Sequence, residues 1–449
     1  MTDVIKLRKG LDISLKGKAI EKILPVEDTG IYAIVPDDFT GIVPKLAVKE
    51  QDTVMAGEAL LYDKNHPELK IVSPVSGVVT AIIRGARRKI MNVVVKASST
   101  QENKEFGKQE VSKLNADSAK ALLLESGLFA FVRQRPYDVI ADPSVAPAAI
   151  FVTAFDSSPL APDFEFALKG EEQNFQTGLD VLAKMGKTYL NIRVGQTAKA
   201  LTEAKQVTIT AFSGPHPVGN VGVQINHIAP VVKGETVWTL SAEAVIFIGR
   251  LCNTGHVDLT RTVAVTGSEV LKPAYCRLKV GQQLSNVFKS NVTTGKDLRY
   301  ISGNVLTGKQ VTADGYLGAF SSQLTVIPEG DENNEMFGWI MPRFSQFSVS
   351  RSYFSWLMPK KQYALDARIK GGERHMIMSG EYDKVFPMDI LPEYLIKAII
   401  AGDIDRMEAL GIYEVAPEDF ALCEFVCSSK MELQHIVRDG LDMLRAEMS

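Results

Sequence analysis

Cysteine is scarce in this sequence. There are four in 449 residues, at positions 252, 276, 423 and 427. That is too few for a disulfide framework, and it suits a reducing compartment. Net charge is nearly absent, at −3 with a pI near 6.2, so the overall charge gives no electrostatic reason to expect nucleic acid or an anionic lipid surface as a partner. Long hydrophobic runs are missing too. No window approaches the ~18 consecutive apolar residues of a membrane span, and the longest runs, such as Val245-Ile246-Phe247-Ile248, are strand-sized. The opening "MTDVIKLRKGLDISL" has no apolar core of a secretory signal. These absences predict a cytoplasmic chain with no span of its own.

Catalytic signatures are also lacking. There is no G-x-S-x-G, no H-E-x-x-H, no Walker sequence and no G-x-G-x-x-G. The six histidines, at 66, 216, 227, 256, 375 and 435, show no metal-ligand spacing. Cys423 and Cys427 are four residues apart and share a helix face. A closed zinc or iron–sulfur site needs four ligands, and only His435 is near in sequence. The pair therefore reads as two buried apolar cysteines. No catalytic residue, metal ligand or bound cofactor is expected on this chain.

What is present is ordinary globular material, 45% hydrophobic and 23% charged. The length suggests about two to four domains. Residues 1–100 carry short Val- and Ile-rich runs between Gly and Pro turns, "VVTAII" and "NVVVKA" among them, and read as an all-β module. A polar stretch beginning near 101 leads into "DSAKALLLESG", a helix with an Asp or Ser cap and Gly127 as its stop. Through 259, strand-length runs ("AAIFVTAF", "KTYLNIRV", "QVTITAF", "EAVIFIG") alternate with the helices "EEQNFQTGLDVLAKMG" and "AKALTEA". Such alternation predicts a Rossmann-like, parallel α/β domain over 101–259. Residues 260–330 return to β with one helix at "QQLSNVF", the pattern of a β-grasp module. Residues 331–449 begin aromatic and end in a helical bundle, from "LPEYLIKAIIAG" to "KMELQHIVRDGLDMLRAEM".

Four places invite a functional reading. The run "SPVSGVV" (73–79) has the form of the return hairpin in a biotinyl or lipoyl carrier. The lysine's register falls on His66 in "DKNHPEL", so the module is expected to lack a cofactor lysine and to act as a contact surface. "GPHPVGNVGV" follows a strand, where a sheet offers its ligand loop, and makes Gly214, His216 and Gly219 candidates. Pro215 and Pro217 lack N–H donors, which weakens a phosphate cradle. Arg133 and Arg135 are candidates for an anion clamp, set against a solvated face or an interface pair. The aromatic tract from Phe337 to Trp356, including Trp339 and Phe344, offers faces to a flat ligand or to the core.

Several stretches taken together resemble the A-type subunits of the sodium-translocating NADH:quinone reductase. They are "RKGLDISLKG", "SPVSGVVTAIIRGARRKI", "LLESGLFAFVRQRPY", "AIFVTAFDSSPLA", "FSGPHPVGNVGVQINHIAP", "GWIMPRFSQFSVSR" and "ALCEFVC". They run from the first residues to the last helices. The resemblance implies a peripheral subunit on the cytoplasmic face of the bacterial inner membrane, in a six-subunit complex. That complex oxidises NADH, reduces a ubiquinone-type quinone and exports Na+, with its flavins and iron–sulfur groups in other subunits. It also implies kinship with the flavin subunit of respiratory complex I and with the C-type subunits of Rnf complexes, which makes direct flavin or NADH binding the alternative. Against that alternative, "SGLFAFVRQRPY" stands about where the relatives' glycine-rich loop lies. It has one glycine, and Phe129 and Phe131 would block backbone approach to a phosphate. Quinone is a further candidate partner.

Overall fold

The computed structural model describes residues 3–331 and 343–448. At its centre is a seven-stranded sheet. Its strands are β1 (Asp3–Lys6), β2 (Arg133–Arg135), β3 (Val139–Ile140), β4 (Ala149–Thr153), β5 (Thr188–Arg193), β6 (Thr208–Ser213) and β7 (Val237–Ser241). Their order across the sheet is β1-β6-β5-β4-β7-β2-β3. The five strands from β1 to β7 are mutually parallel, and β2 and β3 add on antiparallel.

Alternation along these strands explains how the sheet is covered. Ile150, Val152, Leu190, Trp238 and Leu240 join one core, while Phe151, Tyr189 and Val237 join another on the opposite face. Both faces are apolar, as a parallel sheet sandwiched by helices requires. Six helices matter here: α1 (Ala116–Glu125), α2 (Glu172–Met185), α3 (Val221–Ile228), α4 (Ala242–Thr254), α5 (Pro392–Ala401) and α6 (Leu433–Met448). Residues of α1, α2 and α4 pack into the first core, and Ile225 of α3 packs into the opposite one. α1 is capped by Asn115, whose side chain accepts from Ser118 N–H while Ser118 Oγ accepts in return, a capping box.

One expected strand is a helix. "EAVIFIG" lies inside α4, whose residues 244–249 are all buried. A helix covered on every side carries a continuous apolar run, as a buried strand does. Its markers are the ends: Ser241 accepts from Ala244 N–H at the start, and Gly255 at φ +84° closes it.

The first hundred residues do not form one body. Strand β1 is an edge of the central sheet. Strand Ile20–Ile23 is an edge of a separate six-stranded sheet built mainly from residues 260–328. Only from Ile31 does the chain enter its first β module. That module has a four-stranded sheet (31–34, 90–97, 77–84, 53–54) and a three-stranded one (44–46, 59–63, 70–72). The "SPVSGVV" turn is buried. Ser73 Oγ donates to the Val75 carbonyl at 2.6 Å, and Ser76 Oγ accepts from Glu102 N–H at 2.9 Å. At Gly77 a Cβ would lie 2.0 Å from the Lys96 carbonyl oxygen, so the hairpin closes only on glycine. This module shares its core with the central sheet, since Leu60, Val79 and Phe129 belong to one cluster.

The C-terminal helices form a second core with Leu7, Phe155 and Phe212. α5 starts on Pro392 and ends at Gly402 with φ +67°. No helix among the described residues is long and apolar enough to cross a membrane.

Candidate functional site

The strand order reverses beside β4. The chain runs from β4 to β5 and β6 on one side, then returns as β7 on the other. At such a switch point the loops after adjacent strands part and leave a crevice beyond their C-terminal ends. Here that crevice has a volume of about 250 Å³. Thr153, Ala154 and Phe155 line one wall, and Thr239, Leu240 and Ser241 the other. A second, wider pocket of about 510 Å³ adjoins it through Phe155, Asp156, Ser158 and Phe164.

The loop after β6 reaches this crevice. Its anchor is Gln224 of α3, fully buried, whose Oε1 accepts from Thr153 Oγ1 and Asn191 Nδ2, both at 2.8 Å. Gly214, at φ +146°, packs on Leu7 and lies outside the crevice lining. His216 and Gly219 line it. His216 Nδ1 is 2.9 Å from Ser157 Oγ, and Gly219 N–H donates to the same oxygen at 2.8 Å. A Cβ on Gly219 would sit 2.6 Å from Ser157 N, so this approach requires glycine. The His216 N–H donates to Asp12 at 2.9 Å. Burial holds the His216 imidazole below its ordinary pKa, against the pull of Asp156 and Asp12, which favours the neutral ring.

Arg133 lines the crevice and is spoken for. Its Nη2 donates to Asp138 at 2.7 Å, and its guanidinium lies 5.7 Å from the Phe320 ring. Arg135 points away, into the junction with the C-terminal helices, and is 1% exposed. Its Nη2 donates to Glu418 Oε1 at 3.0 Å, and Asp419 and Asp138 stand 3.6 and 3.7 Å from its other nitrogens. Burial pushes Asp138 up, but Arg133, Arg135 and Arg438 outweigh it and hold the carboxyl below the usual range. Burial pushes Glu418 up to about 7 against the pull of Arg135, helped by repulsion from Asp419 and Asp138. Asp419 is raised for the same first reason. The two arginines thus bind this chain's own carboxylates. Glu418 also lines the crevice, so the ionic junction and the crevice share a wall. Sequence reading missed the junction because its partners lie 283 residues apart.

Phe129 and Phe131 are in the core. Phe129 meets Trp238 edge-on at 5.3 Å, and Phe131 meets Phe247 at 5.6 Å. Phe131 and Phe320 also present apolar surface to the crevice. His66 sits near the carrier-shaped module's hairpin, 3.6 Å from Asp142 on the neighbouring domain, so this end is docked. Cys423 and Cys427 are both buried, and Tyr382 Oη is 3.0 Å from Cys427 Sγ. Among the described residues, no three His, Cys, Asp or Glu side chains converge as a metal would need. Phe344 is exposed and stacks on Phe354. Phe337 and Trp339 lie outside the described residues.

Three family models match along the chain. They are the NqrA N-terminal barrel-sandwich hybrid domain over residues 5–98, the NqrA second alpha/beta domain over 114–257, and the NQRA C-terminal domain over 262–313. Full-length relatives are similar throughout. The A-type subunit of the Na(+)-translocating NADH-quinone reductase from Yersinia pestis bv. Antiqua (strain Angola) is 36% identical, covering 99% of this chain and 100% of the relative. Its namesake from Serratia proteamaculans (strain 568) is 37% identical with the same coverage. Among solved structures, an air-oxidized NAD+-reducing [NiFe]-hydrogenase chain aligns with a TM-score of 0.35 at 12% identity, over 77% of this chain and 67% of that one.

Proposed function

This chain belongs to the family of A-type subunits of the Na(+)-translocating NADH-quinone reductase, and from that membership we propose that it is a peripheral subunit on the cytoplasmic face of the bacterial inner membrane. Its partners are the other subunits of a six-subunit complex that oxidises NADH, reduces a ubiquinone-type quinone and exports Na+. Its own part is docking and quinone handling, with flavins and iron–sulfur groups held by its partners. The observation that carries this reading is the packing of Phe129 and Phe131. A flavin phosphate needs open backbone N–H groups and glycine. Both rings are instead driven into the core, at 0% and 5% exposure. The same packing weighs against the alternative of a flavin- or NADH-binding redox subunit.

Quinone handling rests on the crevice. A flat ring entering it meets Phe131, Phe155, Phe164 and Phe320. The polar groups in the same lining are Arg133, which holds Asp138, and Asn220, which donates to the Glu418 carbonyl, so a ring oxygen would share donors already engaged. Glu418, raised toward neutrality, stands at its edge as a proton-exchanging group.

The test is a tagged pull-down from gently solubilised native membranes, beside the chain purified alone. Sodium-stimulated NADH:quinone reductase activity and a flavin spectrum are expected in the membrane eluate, with a colourless lone chain. A coloured or NADH-oxidising lone chain refutes the proposal. For the crevice, a short-chain quinone is expected to slow amide exchange at 153–156 and 216–220, and unchanged exchange removes it.

A further inference from the structure

The chain is slightly acidic as a whole, but one stretch is not. Residues 343–378 hold seven Lys or Arg and only two acids, Asp366 and Glu373. From totals of 50 basic and 53 acidic residues, that leaves 43 against 51 elsewhere. Between Arg343 and Leu365 there is no acidic side chain at all. The same stretch turns apolar groups outward. Phe344 is 56% exposed, Trp356 52%, Leu357 59% and Phe354 40%.

These groups form one patch. Phe344 and Phe354 stack with centroids 5.4 Å apart and planes at 22°. A short 3-10 turn, Phe354–Leu357, sets three of the four side by side. The Arg351 guanidinium lies 5.7 Å from the Trp356 ring, and Lys360 follows three residues after Leu357, exposed. The loop is held from behind. Ser355 Oγ accepts from Ser348 N–H at 3.0 Å and donates to the Ser348 carbonyl at 3.3 Å. Phe347 packs on Tyr363 and Phe425, and the Tyr363 main chain pairs with Ser14 and Lys16. The apolar side chains are thus displayed from a fixed base.

We infer that this face rests directly on an anionic lipid surface, with Phe354, Trp356 and Leu357 in the interfacial layer and Arg351 and Lys360 at the headgroup phosphates. The inference rests on the reading of this chain as a peripheral subunit of a membrane complex, and it adds which face meets the lipid. Aromatic rings beside basic groups are the composition of a membrane interface. A patch without acids fits a surface of uniform negative sign, and each basic residue near such a surface strengthens binding about fivefold. A protein partner would present both signs and would favour acids within the patch to match.

The test is flotation of the purified full-length chain with vesicles of phosphatidylcholine plus phosphatidylglycerol, and with phosphatidylcholine alone. Binding is expected to the anionic vesicles, to weaken steeply with salt, and to be slight on the neutral ones. Arg351→Gln with Lys360→Gln is expected to lower partitioning roughly 25-fold, two steps of about fivefold. Trp356→Ser with Leu357→Ser is expected to lower it roughly tenfold or more. All four side chains are exposed, so an unchanged thermal transition verifies the fold. The salt dependence of the unaltered chain is read without any variant. No flotation, equal flotation on both vesicles, or variants that float like the unaltered chain overturn the inference. If the unaltered chain ignores vesicles and the Trp356 and Leu357 pair is needed for co-purification with the reductase, the face docks on protein and the lipid assignment falls. Flotation reads the face and co-purification reads membership of the complex, so either can fail without the other.

Discussion

Replacing Arg135 by methionine tests the ionic junction between β2 and the C-terminal helices. Methionine fills much of the same volume without the charge. The guanidinium is 1% exposed and faces three carboxylates within 3.7 Å. Asp138 keeps Arg133, but Asp419, with 0% side-chain exposure, loses its compensating cation and keeps the Ala416 N–H at 2.9 Å and the Asn220 side chain. Removing one partner of a buried pair strands the other, at a cost of ~3–5 kcal/mol. That cost falls on the contact between the sheet and the segment 417–448. Amide exchange there is expected to quicken on the order of 10²–10³-fold, while β4, β5 and β6 change little. The deficit has a pH signature. Without Arg135, Glu418 and Asp419 take up protons more readily in the folded state, so the variant's deficit shrinks as pH falls from 8 toward 5. Exchange less than fivefold faster, or quickened evenly along the chain, would refute the idea that this junction clamps the C-terminal helices.

Three further outcomes are expected. In the unaltered protein, Glu418 is raised to about 7 when folded, above its ordinary value, so its contribution is complete at low pH and is lost as pH rises through about 7. Its side chain is one-third exposed, so the loss is trimmed to roughly 1–2 kcal/mol, and Glu418→Gln should flatten that slope in urea titrations. Gly127→Ala puts a Cβ 2.5 Å from Val72 at φ +74°; a loss of about 1–3 kcal/mol is expected, and an unchanged unfolding midpoint would contradict the packing of the first β module on the turn that follows α1. All four cysteines are buried, with Cys252 pushed up to about 11 and Cys276 to about 12 by burial, so a thiol reagent should react only after denaturant is added.

How much of this was legible in the sequence depends on how local the cause is. The helices "LPEYLIKAIIAG" and "EEQNFQTGLDVLAKMG" announce themselves by period and by their ends, and both form. The "SPVSGVV" hairpin is equally local, since Gly77 answers a neighbour only one strand away. "EAVIFIG" misled because burial on all sides erases the period that separates helix from strand. The loop after β6 was placed correctly by its position behind a strand, but its mate Ser157 carries no signal of its own. The Arg135 junction was illegible, because nothing near position 135 announces Glu418 or Asp419. The exposed aromatics near Phe354 read equally well as core, since composition does not tell inward from outward.

The placement of the first 23 residues bears on how the chain is made. Strand β1 pairs with residues 210–213, and strand Ile20–Ile23 pairs with Ala274 and Tyr275. The ribosome delivers these two strands long before their partners. At roughly 5–20 residues per second, the second pairing waits on the order of 10–50 seconds. Until its own partner emerges each strand stays unpaired, with Val4 and Ile20 open to other chains. Neither sheet can finish its edge until its distant partner strand has emerged, for the second sheet more than half the polypeptide later. Synthesis of this protein therefore carries a built-in delay, during which a chaperone or a waiting partner has its best access to the nascent chain.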